Sequence, residues 1–590
     1  MRPDIATLLH DIFGFPGFRG VQEQVVGRIM AGRPTLAIMP TGAGKSLCYQ
    51  LPAVALEGCC IVISPLIALM HDQLRAAQAV GIRAASLTSV DADWRETQDR
   101  LREGALDLLY VAPERASTEG FRSLLRTAKV ALFAIDEAHC VSEWGHDFRP
   151  DYRLLRPLLD EFPDVPRLAL TATADAHTRA DILVQLGIPA DGMIIAGFDR
   201  PNIRYTVHPR DGLTRQLADL VARNPGPGIV YAQTRAATEK IAEGLARTGR
   251  PVGIYHAGLD PKVRAANQAA FIASEDRVMV ATIAFGMGID KPDVRFVAHA
   301  GLPKSIEGYY QESGRAGRDG EPAQAHLFWG AEDFARARMR IAELEPARQQ
   351  GERARIAALG ALVETATCRR AILLRHFGES PPPACGNCDN CLTPPASVDA
   401  TETARKYLSA VYRTGQSFGA GHIEAVLTGG ATDRIRDRGH DRISVYGIVD
   451  GDETALLRPV SRALLVRDAL ETTEHGGLML GPNARPILRG EEEVRILVPP
   501  RRERGRRSAR NGSGANPVDD PLFDALRACR RELAQEAGVP PYVIFHDSTL
   551  REMAEAKPSS IHALATISGV GQKKLDAYGD AFLAAIRPYL

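Results

Sequence analysis

The sequence predicts a multidomain α/β protein in which two parallel-sheet lobes are followed by smaller, mainly helical units. Near-continuous apolar runs alternate with amphipathic stretches, as strands covered on both faces of a parallel sheet do. One early run, Leu36 to Ile38, leads directly into a glycine-rich turn and a helix start at Lys45-Ser46. The chain of 590 residues is also too long for a single core and suits about four domains.

The turn Met39-Pro40-Thr41-Gly42-Ala43-Gly44-Lys45-Ser46 reads as a phosphate cradle. Gly42 and Gly44 let backbone N–H groups face an anion, and the helix that follows adds its positive end. Lys45 can reach the outer phosphates and Ser46 can hold Mg2+. Only the core Thr41 to Ser46 fits the full pattern, because Met39 stands where a glycine is usual; an ordinary strand–turn–helix junction is the alternative. Upstream, the aromatic-rich loop from Phe13 to Glu23 runs into a helix. Phe15 and Arg19 could give an adenine a flat face, and the Gln22 amide could read its edge. Phe residues near a terminus also cap cores.

In the first lobe the runs 60–64, 106–111, 130–135 and 168–170 read as strands. A doubly wound layer binds ligands at the carboxyl ends of its strands. There the sequence places Asp136-Glu137-Ala138-His139, in which Asp136 suits a Mg2+ holder and Glu137 a base that polarises water. Thr171-Ala172-Thr173 offers a relay of hydroxyls, or a helix cap. The loop after His139 interleaves Trp144, Phe148 and Arg149. Bases of a single strand stack on such rings while arginines take phosphate, although a loop packing its own rings has the same composition.

A connector near 201–213 leads to a second α/β series with strands at 228–231, 252–255, 277–281 and 294–299. It contains the stretch 282–290 and the stretch Tyr309 to Gly320. Arg315 and Arg318, three residues apart on a glycine-broken helix, can both face a γ-phosphate presented by the other lobe.

Of nine cysteines, Cys385, Cys388 and Cys391 cluster, with Cys368 upstream. The other five are scattered in apolar surroundings, so no disulfide framework is expected. Two overlapping Cys-x-x-Cys steps and one remote Cys suit a closed structural Zn2+ site; iron–sulfur clusters use similar spacings. From 401 to 497, helical patterns end in two strand-like runs around Gly476-Gly477, and Arg434, Arg436 and Arg438 could meet duplex phosphates or form a solvated face. A basic stretch follows from Pro499 to Gly514 and reads as a linker. Residues 520–590 form a helical unit, where Gly569 and Gly571 would open a helix start toward a phosphate beside Lys573 and Lys574. A formal net charge of zero leaves any basic surface a local patch. No apolar leader follows Met1, and no apolar stretch is long enough to span a bilayer, so a cytosolic protein is expected.

Together, 39–46, 64–70, 136–139, the aromatic loop, 171–173 and 311–320 resemble the RecQ-type DNA helicases of superfamily two, over nearly the whole chain. The resemblance implies ATP and Mg2+ bound between two RecA-like lobes. It also implies hydrolysis that drives 3'-to-5' movement on DNA, unwinding duplex in recombination, repair and replication-fork maintenance. By position, Phe15, Arg19 and Gln22 resemble the adenine motif. Thr41, Gly42, Ala43, Gly44, Lys45 and Ser46 resemble the phosphate loop; Lys45, Asp136, Glu137, His139 and Gln311 the hydrolytic set; Arg315 and Arg318 the γ-phosphate pair. Trp144, Phe148 and Arg149 fall in the DNA-contacting loop, and Cys368, Cys385, Cys388 and Cys391 match the family's zinc site. The domains implied are a first lobe (1–208), a second lobe (209–340), a zinc-binding module (341–397), a winged helix (398–498), a basic linker (499–517) and a helicase-and-RNase-D C-terminal (HRDC) domain (518–590). Implied partners are single-stranded and forked or tailed duplex DNA, single-strand-binding protein and recombination factors, with no membrane and a cytoplasmic, nucleoid-associated location. Three departures stand out: Ala43 for a glycine, Val21 for a glycine, and Ala232-Gln233-Thr234 for Cys-Asn-Ser. A DNA-binding scaffold with regulatory nucleotide binding, or an RNA helicase, would share many of these features.

Overall fold

Short, fully buried strands build two parallel sheets. In this computed structural model, which describes residues 4–590 except 66, 89–93, 143–147, 287–290, 474–476 and 499–519, the first sheet has seven strands. They are β1 (Thr35–Ile38), β2 (Cys59–Ile63), β3 (Ala84–Leu87), β4 (Leu108–Val111), β5 (Val130–Ile135), β6 (Arg167–Thr171) and β7 (Met193–Ile195), in the order β3-β4-β2-β5-β6-β1-β7. Every side chain of β1, β2, β4 and β6 is buried, which is why these strands read as near-continuous apolar runs, with polar residues only at their ends (Thr35, Arg167, Thr171), rather than alternating ones. Parallel register lines up Ile38 with Thr171 and Ile63 with Ile135. The loops after β1, β5 and β6 therefore leave one edge of the sheet together.

The second sheet holds β8 (Ile203–Pro209), β9 (Gly228–Tyr231), β10 (Val252–Tyr255), β11 (Val278–Ala281), β12 (Phe296–His299) and β13 (Ala323–Trp329), in the order β10-β11-β9-β12-β13-β8. The stretch expected as a connector near 201–213 is thus largely the edge strand β8, which pairs with β13 along its length. Ile203, Tyr205 and Val207 are buried in alternation with Arg204, Thr206 and His208. Only one face meets the core, and the polar residues between hide the strand from a search for continuous apolar runs. A boundary at 208 would cut through this strand.

One apolar core runs through both lobes and the zinc module, from Ile38 through Phe198, Tyr205 and Tyr310 to Phe377 and Cys388. At its centre Phe198 stacks on Phe377 with ring centroids 4.6 Å apart. The far faces of the two sheets bury cores of their own. The winged-helix unit packs a separate core around the helices Thr401–Arg413 and Leu457–Val466. Its expected hairpin forms from β15 (Leu470–Thr472) and β16 (Leu478–Leu480), while β14 (Ala396–Asp399) and β17 (Arg495–Val498) pair antiparallel at its base.

The C-terminal unit, with helices Pro521–Ala537, Asp547–Ala556 and Gln572–Ile586, has its own core around Leu526, Met553 and Phe582. It leans on both lobes. Glu275 of the second lobe meets Arg527 (3.2 Å), Arg530 (2.7 Å) and Arg531 (2.8 Å), and Arg551 pairs with Glu321 at 3.0 Å. On the first lobe the Gly569 N–H donates to the Gly14 carbonyl at 3.0 Å. The helix start expected to face a phosphate through Gly569 and Gly571 therefore faces protein: a Cβ on Gly14 would lie 2.5 Å from the Gly571 nitrogen. Lys574 is half-buried over Phe545, with Nζ 5.6 Å from the ring centroid. Among the described residues no helix is long and apolar enough to cross a membrane, and the expected linker lies outside them.

Candidate active site

The loop after β1 turns inward through Gly42 (φ 86°) and Gly44 (φ 72°), left-handed conformations that cost side-chain-bearing residues free energy. Gln22 is buried beneath it. Its Nε2 donates to the carbonyls of Ala43 (3.0 Å) and Gly44 (3.2 Å), and its Oε1 accepts the Arg19 backbone N–H at 2.9 Å. Gln22, the expected adenine reader, thereby also braces the aromatic loop against the phosphate loop. The Arg19 guanidinium lies 5.8 Å from the ring centroid of Phe15, which stacks on Phe13. Lys45 Nζ donates to the Met39 carbonyl at 3.3 Å. Ser46 Oγ accepts from Gln73 Nε2 at 3.4 Å, and Gln73 is held by the Tyr49 hydroxyl at 2.7 Å. Neither Gln73 nor Tyr49 belongs to a recognisable motif, so sequence reading missed this support.

At the end of β5 Asp136 is buried, its N–H donating to the Ile63 carbonyl at 2.9 Å. Burial, and then the charge of Glu137, push its carboxyl up to about 7 against the pull of Lys45. A carboxyl held in this state gains by meeting a divalent cation, so Ser46 and Asp136 fit the Mg2+ that the fold implies. Glu137 is a non-glycine residue in the left-handed region (φ 47°), the kind of local strain that surrounding structure must hold in place. The turn brings Glu137 Oε2 to 3.3 Å from His139 Nδ1, which also meets Thr171 Oγ1 at 2.9 Å. The Thr171 hydroxyl in turn donates to the Thr173 carbonyl at 3.2 Å. Of the hydroxyls expected to relay at 171–173, that of Thr171 reaches the Glu137 carboxylate through buried His139, whereas the Thr173 hydroxyl is buried without a hydrogen-bond partner among the described residues.

Across the cleft, the helix Ile306–Ser313 carries Gln311. Arg315 and Arg318 follow on the turn beyond the end of that helix rather than on the helix itself, because Gly314 ends it and Gly317 takes φ 56°. A Cβ added at Gly42 would lie 3.4 Å from the Arg318 Cα, so the lobes meet at the phosphate loop. The cleft between them, about 380 Å³, is lined by Lys45, Ser46, Asp136, Glu137 and His139 from the first lobe. Gln311, Arg315 and Arg318 line it from the second, and His546 from the C-terminal unit. Phe15, Arg19 and Gln22 are not among the lining residues.

Of the expected DNA-contacting residues, Trp144 lies outside the described residues. Phe148 is half-buried with the Arg153 guanidinium 5.3 Å from its ring centroid. Arg149 Nη1 donates to the Pro65 carbonyl at 3.0 Å, tying the aromatic loop to the loop after β2.

The sulfurs of Cys368, Cys385, Cys388 and Cys391 all lie within 4.8 Å of one another. Backbone N–H groups of Ala371, Asn387 and Cys388 point at them, at 3.4, 3.4 and 3.3 Å, support of the kind that steadies metal-bound thiolates. Four thiolates closed in this way make a structural zinc site. Beside it Asp389 pairs with Arg369 at 2.7 Å and accepts the Val207 N–H at 2.9 Å, which fixes the module to β8.

Family profiles match in sequence along the chain: a DEAD/DEAH box helicase over residues 19–182, a helicase conserved C-terminal domain over 212–320, a RecQ zinc-binding domain over 331–392, an RQC domain over 394–504 and an HRDC domain over 519–586. The chain is 43% identical to the ATP-dependent DNA helicase RecQ of Haemophilus influenzae, across all of this chain and 96% of that protein. It is 42% identical to the protein of the same name from Pasteurella multocida (99% and 93% covered) and 38% identical to that from Bacillus subtilis (99% and 98%). Since this similarity runs from end to end and takes in both lobes, the zinc cluster and the units beyond it, the chain belongs to the RecQ family of ATP-dependent DNA helicases.

Proposed function

We propose that this chain hydrolyses ATP in the cleft between its lobes and uses the cycle to move 3' to 5' along a single strand, separating forked or tailed duplex DNA. The observation that supports this reading is the convergence of Lys45, Ser46, Asp136 and Glu137 with Gln311, Arg315 and Arg318 on one cleft. Lys45 meets the outer phosphates and orients them. Glu137, held by His139, accepts a proton from the attacking water at its carboxylate. Arg315 and Arg318 meet the negative charge that builds on the transferred phosphoryl group. Mg2+ held by Ser46 and Asp136 would neutralise phosphate charge during the transfer. Phe15, Arg19 and Gln22 stand outside the lining of the cleft and take the adenine where the aromatic loop is braced against the phosphate loop.

The aromatic loop with Trp144, Phe148 and Arg149 follows His139 directly in the chain and is tied to Pro65. A change at the cleft therefore has a short route to a strand stacked on that loop. The winged-helix unit takes the duplex, with Arg434, Arg436 and Arg438 toward its phosphates. Single-strand-binding protein and recombination factors fit as partners of an enzyme that exposes single strands.

Lys45→Ala and Glu137→Gln should each keep DNA binding while lowering DNA-stimulated kcat by about 100-fold or more. Retained turnover in both would remove the assignment. Unwinding of 3'-tailed, but not 5'-tailed, duplexes is expected; activity confined to 5'-tailed substrates would reverse the polarity.

A further inference from the structure

Arg200 belongs to the connector between β7 and β8, outside both sheets, and its side chain is buried. Its Nη1 donates to the carbonyls of Thr41 (2.5 Å) and Gly314 (2.9 Å), and its Nη2 to those of Ala316 and Gly317 (both 2.9 Å). All four acceptors are backbone carbonyls. One lies in the phosphate loop, immediately before Gly42. The other three bracket the arginine turn, since the Gly314 carbonyl precedes Arg315 and the Gly317 carbonyl precedes Arg318. A planar guanidinium with five donors can bridge acceptors in this way, and an ammonium cannot match its fork.

The neighbours of Arg200 in the connector grip the same part of the second lobe. The Phe198 carbonyl accepts from the Tyr310 hydroxyl at 2.7 Å, and Asn202 Nδ2 donates to the carbonyls of Gly317 (2.8 Å) and Glu321 (2.9 Å). Through these contacts the turn is bound to the connector, and Arg200 adds a bond to the first lobe's phosphate loop. The bond to Thr41 forms only when the lobes are together. Opening the cleft by the width of a water molecule would break it.

We propose that Arg200 is the positioning residue for closure: by binding Thr41 and the 314–317 turn at once, it sets Arg315 and Arg318 against the phosphate loop. Arg200 touches no reacting atom in this role; it acts through where it holds two backbone segments. The proposal rests on the γ-phosphate role given above to Arg318, and the experiment separates the two.

In the full-length chain with saturating single-stranded DNA, Arg200→Ala should lower kcat for ATP by about 100-fold, the scale of a misplaced catalytic group. The KM for ATP should stay within about threefold, because ground-state phosphate contacts from the first lobe remain. The thermal stabilisation given by ADP should persist, and the additional stabilisation given by ADP with beryllium fluoride should vanish. In the double variant the effects of Arg200→Ala and Arg318→Ala should fall well short of multiplying, because Arg200 acts in part through Arg318 and the remaining loss is that of Arg315 alone. A kcat within twofold of the parent, an intact beryllium fluoride increment, or effects that multiply in the double variant would each overturn the proposal. Should Arg200→Ala fail to fold, Arg200→Lys, which keeps charge and stem but loses the fork, carries the same comparisons and limits. Full turnover in Arg318→Ala would instead remove the γ-phosphate assignment beneath it.

Discussion

At Gly44 two constraints coincide. The backbone is left-handed, and a Cβ would stand 2.5 Å from Gln22 Nε2, so a side chain would be strained and would also displace the amide that braces the loop. Gly104 shares the conformation (φ 71°) but has open space around it. Both Gly44→Ala and Gly104→Ala should lose ~1–2 kcal/mol of stability through backbone strain. Only Gly44→Ala should also raise the KM for ATP, and equal KM values for the two variants would contradict the brace. At this scale the sequence revealed which residues carry charge and phosphate chemistry, because Lys45, Asp136, Glu137 and Arg318 stand in patterned company. It did not reveal Arg200 or the bracing bonds of Gln22. Both act on backbone carbonyls, which every residue has, so no side-chain pattern marks their targets.

Helix Gln572–Ile586 carries a titratable feature of its own. Burial over Phe545 lowers the Lys574 ammonium to about 8, whereas an unfolded chain holds it near ~10.4. Between those values the unfolded chain binds more protons than the folded one, so stability of the C-terminal unit rises with pH across that window; below about 8 the full cost is present. Lys574→Met should therefore raise the calorimetric midpoint of that unit at pH 7.5, and the gain should shrink as pH approaches 10.5. A constant gain, or none, would show that the ammonium is not disfavoured in the folded state. Elements differ in how openly the sequence announces them. The strands β2, β5, β9 and β12 show through as apolar runs, being covered on both faces. β3, made of Ala84-Ala85-Ser86-Leu87, is too small and mixed to read as a strand, and β8 alternates polar with apolar side chains on an edge. The turn carrying Arg315 and Arg318 resembles a helix in spacing, and only Gly314 and Gly317 hint that it is not one.

For the whole molecule, a charged contact holds the C-terminal unit against the second lobe. Burial would raise the Glu275 carboxyl, but Arg527 and Arg530 outweigh it and hold it below the usual carboxylate range. Glu275→Gln removes the charge that Arg527, Arg530 and Arg531 share. Loss of a charge-assisted contact of this kind should speed hydrogen exchange at the Gly569 amide, which donates across to Gly14, by about tenfold or more. Raising salt should have the same effect in the unaltered chain, though less strongly because Glu275 is shielded. Unchanged exchange in both cases would mean that contacts other than Glu275 secure the unit.

The β14–β17 pair has a mechanical consequence. Ala396 and Val498 stand opposite each other, so the polypeptide comes into the winged helix and goes out of it at a single spot near the cysteine cluster. Because Arg338 of the helix Ala331–Ala342 also pairs with Asp468 at 2.9 Å and donates to the Val466 carbonyl at 2.9 Å, the wing is buttressed at a second place, and a bent duplex that pushed it aside would load the motor lobe behind it rather than swing it free.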